Sequence, residues 1–281
     1  PRRQGRFGFA IDRFAAQGVG FVGKIALNTT PLFDNLNLID CDLRARGCIS
    51  LDREGLDIRR FGAGKVQLNP ANPEARKLFL DYFDDVIARH ARAYADLWYD
   101  YGWGAGPWIS LNQGYDDWTV GAFVRESGKA RTLDAATQAR LKKLARPAKD
   151  SSDYLARWEA LTSTNAPAVR AAWLKWRSRC VTDFTRELVA RCRRDNPALR
   201  LFIQVSPGEA SYAENGIDLK EIAAIDGVRL AASAFVIGAR AEIKKADAAA
   251  LEAFDEKLRA AEAAYRGKLT GLREVCGSVP L

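Results

Sequence analysis

Hydrophobic positions along the chain fall into two patterns, short continuous runs and longer stretches spaced three and four residues apart. Val19 to Leu27, Ala95 to Tyr101, Leu199 to Pro207 and Val228 to Ile237 are runs of the first kind, and each predicts a strand. Helical spacing predicts helices over Phe7 to Gln17, from Pro73 through Leu78, Tyr82, Val86 and Ile87, from Asp116 or Asp117 to Gly128, and from Pro167 to Val189. Residues 132–149 and 151–165 read as further, more charged helical stretches. A short helix at Leu219 to Ile225 and a long closing one from about Ala241 to Leu272 complete the series. Two boundaries carry their own signals. Asn72-Pro73-Glu74 supplies an N-cap, a proline at the first helical position and an acid in the first turn, and Asp195-Asn196-Pro197 closes the helix that opens at Pro167. Residues 32–67 show no sustained period and predict an extended loop over a face of the domain, of a length that is usually functional or disordered.

Strands separated by amphipathic helices imply an α/β fold with a parallel sheet and helical cover. An open doubly wound sheet and a (β/α)8 (TIM-type) barrel both fit that alternation. No G-x-G-x-x-G follows a strand, which counts against a dinucleotide fold. Four clear strands fall short of the eight of a closed barrel, so either short strands hide in residues 38–67 and 105–112 or the barrel is incomplete within the 281 residues. The expectation is a single barrel-type domain, part of a longer chain: the sequence begins at Pro1 and contains no methionine.

The stretch from Ala95 to Gly128 holds Trp98, Trp103, Trp108 and Trp118, three tyrosines, and a run of carboxylates and amides around a glycine-rich connection. Aromatic faces beside a few polar groups suit the C–H surfaces and hydroxyls of a sugar. Tyr99, Tyr101, Trp103, Trp108, Trp118, Asn112 and Gln113 are therefore candidate carbohydrate contacts. Lys24 and Gln204 join them because each places a polar group in an otherwise apolar strand; for Lys24 the alternative is a charged edge-strand residue. Asp100 closes a strand, Asp116 and Asp117 open a helix, and Glu209 follows a strand after a Pro-Gly turn. These four are the candidate catalytic acids. For Asp116 and Asp117 the alternative is helix capping.

Composition narrows the partners. The formal charge is +8, but the cations are dispersed among acids on helical segments, a pattern of solvated faces that predicts no nucleic-acid partner. No run approaches the length of a membrane span, and the basic start is not followed by a signal-type apolar core, so the sequence predicts no membrane partner and leaves location open. Five scattered cysteines and one histidine, His90, predict buried free thiols and no zinc or iron site; no cofactor is expected.

Gly114-Tyr115-Asp116-Asp117-Trp118-Thr119-Val120-Gly121-Ala122-Phe123-Val124-Arg125-Glu126-Ser127-Gly128, followed by Ala171-Ala172-Trp173-Leu174-Lys175-Trp176-Arg177 and its continuation to Phe184, resembles bacterial glycoside hydrolases of (β/α)8-barrel type, family 10-like and family 42 β-galactosidase-like. The resemblance implies cleavage of a β-linked oligo- or polysaccharide by two carboxyl groups at the carboxyl-terminal face of the strands. In such proteins the acid is the glutamate of an Asn-Glu pair, whereas this chain has Asn112-Gln113. An amide cannot donate and recover a proton, so the resemblance leaves two readings: a hydrolase using other acids, or a non-catalytic carbohydrate-binding barrel.

Overall fold

A computed structural model describes residues 13, 16–17, 21–25, 40–57, 67–86, 94–100, 108, 111–205, 213–232, 256 and 269–270. Its strands are β1 (Phe21–Ile25), β2 (Tyr94–Asp100), β3 (Arg200–Val205), β4 (Val228–Ala232) and β5 (Leu269–Thr270). Its helices are α1 (Asp40–Ala45), α2 (Pro73–Val86), α3 (Asp117–Ala130), α4 (Ala135–Leu144), α5 (Ser151–Thr162), α6 (Pro167–Asp195) and α7 (Leu219–Ala223).

All described strand pairs are parallel, and each strand lies beside the next one in sequence, β1-β2-β3-β4-β5. A doubly wound sheet reverses direction at a switch point; this order does not reverse. Every carboxyl-terminal strand end therefore lies on one edge. The described residues give five strands, so closure into a barrel is not shown by them.

The register sorts the strand residues into two sets, because positions paired across a parallel sheet share a face and the faces alternate along each strand. Leu97 pairs with Leu201, Tyr99 with Ile203, and Leu201 in turn with Val228. Leu201, Ile203 and Val228 are buried in the core to which Val181, Phe184, Leu188 and Val189 of α6 belong. The other set holds the polar positions: Lys24 pairs with Trp98, Asp100 with Gln204, and Gln204 with Ala231.

Sequence and structure agree where the stop signals are local. Asn72 Oδ1 accepts the backbone N–H of Glu74 at 2.8 Å and opens α2. Asp116 caps α3, and α6 runs from Pro167 through 29 residues. Two expectations need correction. Residues 32–67 are not one long loop: α1 lies within them, and Cys48 to Asp52 are buried and carry antiparallel bridges from Ile49 to Leu68 and from Asp52 to Gln113. Leu269, expected on the closing helix, lies in β5, because Leu230 of β4 supplies a strand partner that helical spacing alone does not reveal. Most of the expected first and last helices lies outside the described residues, as does His90.

Two glycines fix the packing beyond the strand ends. Gly114 has φ +94°, and a Cβ there would stand 2.9 Å from both Arg177 Nη1 and Trp108 Cζ3. Gly216 has φ +69°, and its Cβ would stand 2.5 Å from Trp108 Cδ1. Gly114→Ala is expected to destabilise the protein by about 1–3 kcal/mol through left-handed backbone strain and displacement of the indole. Urea unfolding followed by tryptophan fluorescence would measure it, and an unchanged midpoint would contradict the packing described.

Candidate functional site at the carboxyl-terminal edge of the sheet

The segments that follow β2 and β3 meet at one buried guanidinium, and the segment after β1 joins them through Leu51. Arg177 is fully buried on α6 and donates from Nη1 to the carbonyl of Gln113 and from Nη2 to the carbonyl of Glu214 at 3.1 Å. Gly114 and Tyr115 donate their N–H groups to the carbonyl of Leu51, which ties in the segment after β1. The guanidinium lies 4.5 Å from the Trp108 ring centre and 5.5 Å from that of Trp173. Trp173 stacks on Trp176 with centroids 5.5 Å apart, and Phe123 meets both rings edge-on. Spacing produces this stack. Trp173, Trp176 and Arg177 stand at i, i+3 and i+4 on one face of α6. Burial pulls the Arg177 pKa down to about 10, which still leaves it charged at neutral pH.

A second buried arginine holds the helices beside this cluster. Arg157 of α5 donates to the carbonyls of Tyr115 at 2.7 Å, Leu144 at 3.0 Å and Arg146 at 2.5 Å, and to Asp117 Oδ1 at 2.7 Å. Neither arginine was flagged by sequence reasoning. The available signal was a cation placed at core spacing between aromatic residues, as in Trp173-Leu174-Lys175-Trp176-Arg177.

The candidate residues fall into three groups. Lys24, Tyr99, Asp100 and Gln204 are placed by backbone register alone. Asp100 is the last residue of β2 and pairs with Gln204, one position from the end of β3, while Lys24 is one position from the end of β1. Lys24, Asp100 and Gln204 share one parity near that edge; Tyr99 has the opposite parity, in register with buried Ile203. Tyr101, Trp103 and Glu209 lie outside the described residues.

The third group has described side chains, and most of it serves packing. Trp108 is 1% exposed, with Arg177 over its ring and the glycines 114 and 216 against its edge, so it offers no face to a sugar. Trp118 is half-buried against the core and crowds Gly47. Gln113 is buried, its backbone bridged to Asp52, while Asn112 is exposed and its carbonyl accepts the N–H of Arg53.

Asp116 is a cap rather than a cleft acid. Its oxygens accept the N–H of Thr119 at 2.9 Å and the Thr119 hydroxyl at 2.7 Å, and Asn69 Nδ2 donates to that same hydroxyl at 2.7 Å. Burial raises its pKa to about 7 against the lowering effect of those hydrogen bonds. Asp117 is exposed, paired with Arg157, and accepts the N–H of Ala148 at 3.0 Å. It secures the α4 to α5 connection.

Among the described residues no cluster of histidine, cysteine and carboxylate could hold a metal, and no helix is long and apolar enough to cross a membrane. Cys48, Cys180 and Cys192 are buried and free, and burial raises their pKa values to about 11, 12 and 12, so they stay protonated at neutral pH.

No family model matches the sequence, and no curated protein matches it. Among solved structures the chain is similar to the β-galactosidase from the psychrophilic Marinomonas ef1, with a TM-score of 0.55 and 15% identity. The match covers 83% of this chain and 33% of that one, so the chain spans about a third of that enzyme's length. At this identity the likeness concerns the fold.

Two measurements test the cluster. Arg177→Lys is expected to cost roughly 2–4 kcal/mol, because an ammonium lacks the planar fork that reaches two separated carbonyls while its face covers an indole. A denaturation midpoint equal to the parent's would contradict this. For Asp116 the folded pKa lies above the unfolded value of 3.8, so the folded state holds the proton more tightly. Its stabilising contribution is complete below pH about 4 and is lost as pH rises toward 7. Asp116→Asn, which keeps a capping oxygen, is expected to flatten the stability profile over that interval; an unaltered slope would refute the assignment.

Proposed function

We propose that the chain is the barrel-type part of a glycoside hydrolase acting on a β-linked oligo- or polysaccharide. The observation that carries this reading is the unreversed parallel sheet order, with the segments after β1, β2 and β3 gathered on one edge around Arg177. Active sites of (β/α) barrels are built from such segments. The fold likeness to a β-galactosidase supports the same reading.

The chemistry needs two carboxyl groups across the scissile bond, one ionised and one protonated. With Asp116 and Asp117 engaged in capping and ion pairing, the pair we assign is Asp100 and Glu209. Asp100 ends β2, and Glu209 follows Gln204, its register partner on β3, by five positions in sequence. Glu209 acts as nucleophile or base and Asp100 as its partner acid, with Lys24 and Gln204 as sugar contacts at the same edge. A separation of about 5–5.5 Å would give retention, and about 6.5–9.5 Å inversion.

The second reading is a barrel that binds carbohydrate without cleaving it. It is favoured by Asn112-Gln113, where the resembled hydrolases have an acid, and by the burial of Gln113. Kinetics separates the two. Glu209→Gln and Asp100→Asn, assayed on aryl β-glycosides, are each expected to lose turnover by a factor of about a hundred or more with folding intact. Unchanged rates in both would remove the pair, and a parent that binds oligosaccharide without turnover would establish the binding reading.

A further inference from the structure

The electrostatics of the α3–α4 hairpin point outside the strand-end site. Residues 117–149 hold eight lysines and arginines against three acids. Each acid is engaged: Asp117 pairs with Arg157, Glu126 accepts from Trp176 and Arg179, and Asp134 caps α4 through the N–H and hydroxyl of Thr137. Among the described residues none of the eight cations forms an ion pair.

Three of them converge on one depression. An open pocket of about 500 Å³ is lined by Gly121, Val124, Arg125, Gly128 and Lys129 of α3, and by Gln138 and Lys142 of α4. Arg125 and Lys129 are four residues apart on one helical face, a like-charge spacing that destabilises a helix unless an anion intervenes. The attraction of cations for helix carboxyl ends accounts for Lys129 and Lys142, which lie in last turns, but not for Arg125 in the body of α3. Gln138 cannot be the intended partner. It is turned inward, donating to the Val124 carbonyl at 2.6 Å across Gly128, where a Cβ would stand 2.8 Å from its nitrogen. The larger cavity along α6, about 800 Å³, differs in kind: its rim ions pair with each other, Arg179 with Glu126 and Arg186 with Glu221.

We infer that the Arg125, Lys129 and Lys142 pocket docks an oxyanion substituent, carboxylate or sulfate, on an acidic polysaccharide. The inference rests on the carbohydrate reading above and extends it to a charged substrate class. The pocket lining includes no aromatic ring, so neither a base nor a sugar face stacks there and the contact is with the charged substituent; the saccharide follows from the carbohydrate reading alone. The pocket lies along α3, whose first turn is anchored by Asp116 among the strand-end segments, so it begins about 6 Å along the helix axis from that end. A polymer engaged at the strand ends could continue across it.

The test measures binding, not turnover, so it stands whether or not the chain proves to be a hydrolase. The purified chain would be titrated at low salt with polygalacturonate, a sulfated polysaccharide, a neutral β-glucan and single-stranded RNA. The inference expects binding to one or both acidic polysaccharides, weakening as salt is raised, with the preferred polymer identifying the substituent. The triple substitution Arg125→Ala, Lys129→Ala and Lys142→Ala is expected to weaken that binding by about tenfold or more. Its melting temperature should be unchanged or higher, and Lys220→Ala on α7 should bind as the parent does. Equal affinity for acidic and neutral polymers, or a triple variant that binds as the parent does, would overturn the inference. Preference for RNA over both acidic polysaccharides would also overturn it and identify a nucleic-acid surface.

Discussion

A buried guanidinium that bridges two backbone carbonyls lies at the centre of the described structure. A buried charge is costly unless its surroundings replace water, and Arg177 is surrounded by carbonyl oxygens and indole faces. The arrangement restricts everything near it. The carbonyls of Gln113 and Glu214 must converge, the Trp108 ring must sit beside the guanidinium, and positions 114 and 216 must be glycine for the ring to fit. The polar edge of the sheet is thus bordered by a rigid wall that belongs to the core, and the aromatic richness that first suggests a sugar platform serves in large part to build that wall.

The two buried arginines divide the work. Arg177 joins the segments after β2 and β3, to which Leu51 ties the segment after β1, whereas Arg157 joins α5 to the ends of the connections around α3 and α4. Both donate to backbone carbonyls from more than one segment. A planar fork of five donors reaches carbonyls spread over several segments, where a lysine offers three donors clustered at one point. Asp116, Thr119 and Asn69 form the matching acceptor-rich network, fixing the start of α3 to the segment after β1.

What the sequence revealed was what local chemistry determines. Asn72 before Pro73 and Asp116 before the apolar run of α3 are caps whose partners lie within three residues, so both helix starts were readable. The alternating βα order was readable for the same reason. Non-local pairing was not: the bridge between Ile49 and Leu68, the strand at Leu269, and the contacts of Arg177 depend on residues far along the chain. Trp108 and Asp116 show the limit most clearly. An indole or a carboxylate has the same letter in a cleft and in a core, and only the arrival of Arg177 or Thr119 decides which it is.

The length of those links has a kinetic consequence. Arg177 reaches Gln113 across 64 positions of sequence and Glu214 across 37, and closing such loops is slow because chain entropy opposes it until packing compensates. Helix α6 can form early from its own spacing, yet the strand-end segments gain their order only once it docks. Refolding should therefore restore helical signal before the tryptophan environment around residue 108 becomes native, leaving an interval in which the chain is helical but has no finished edge.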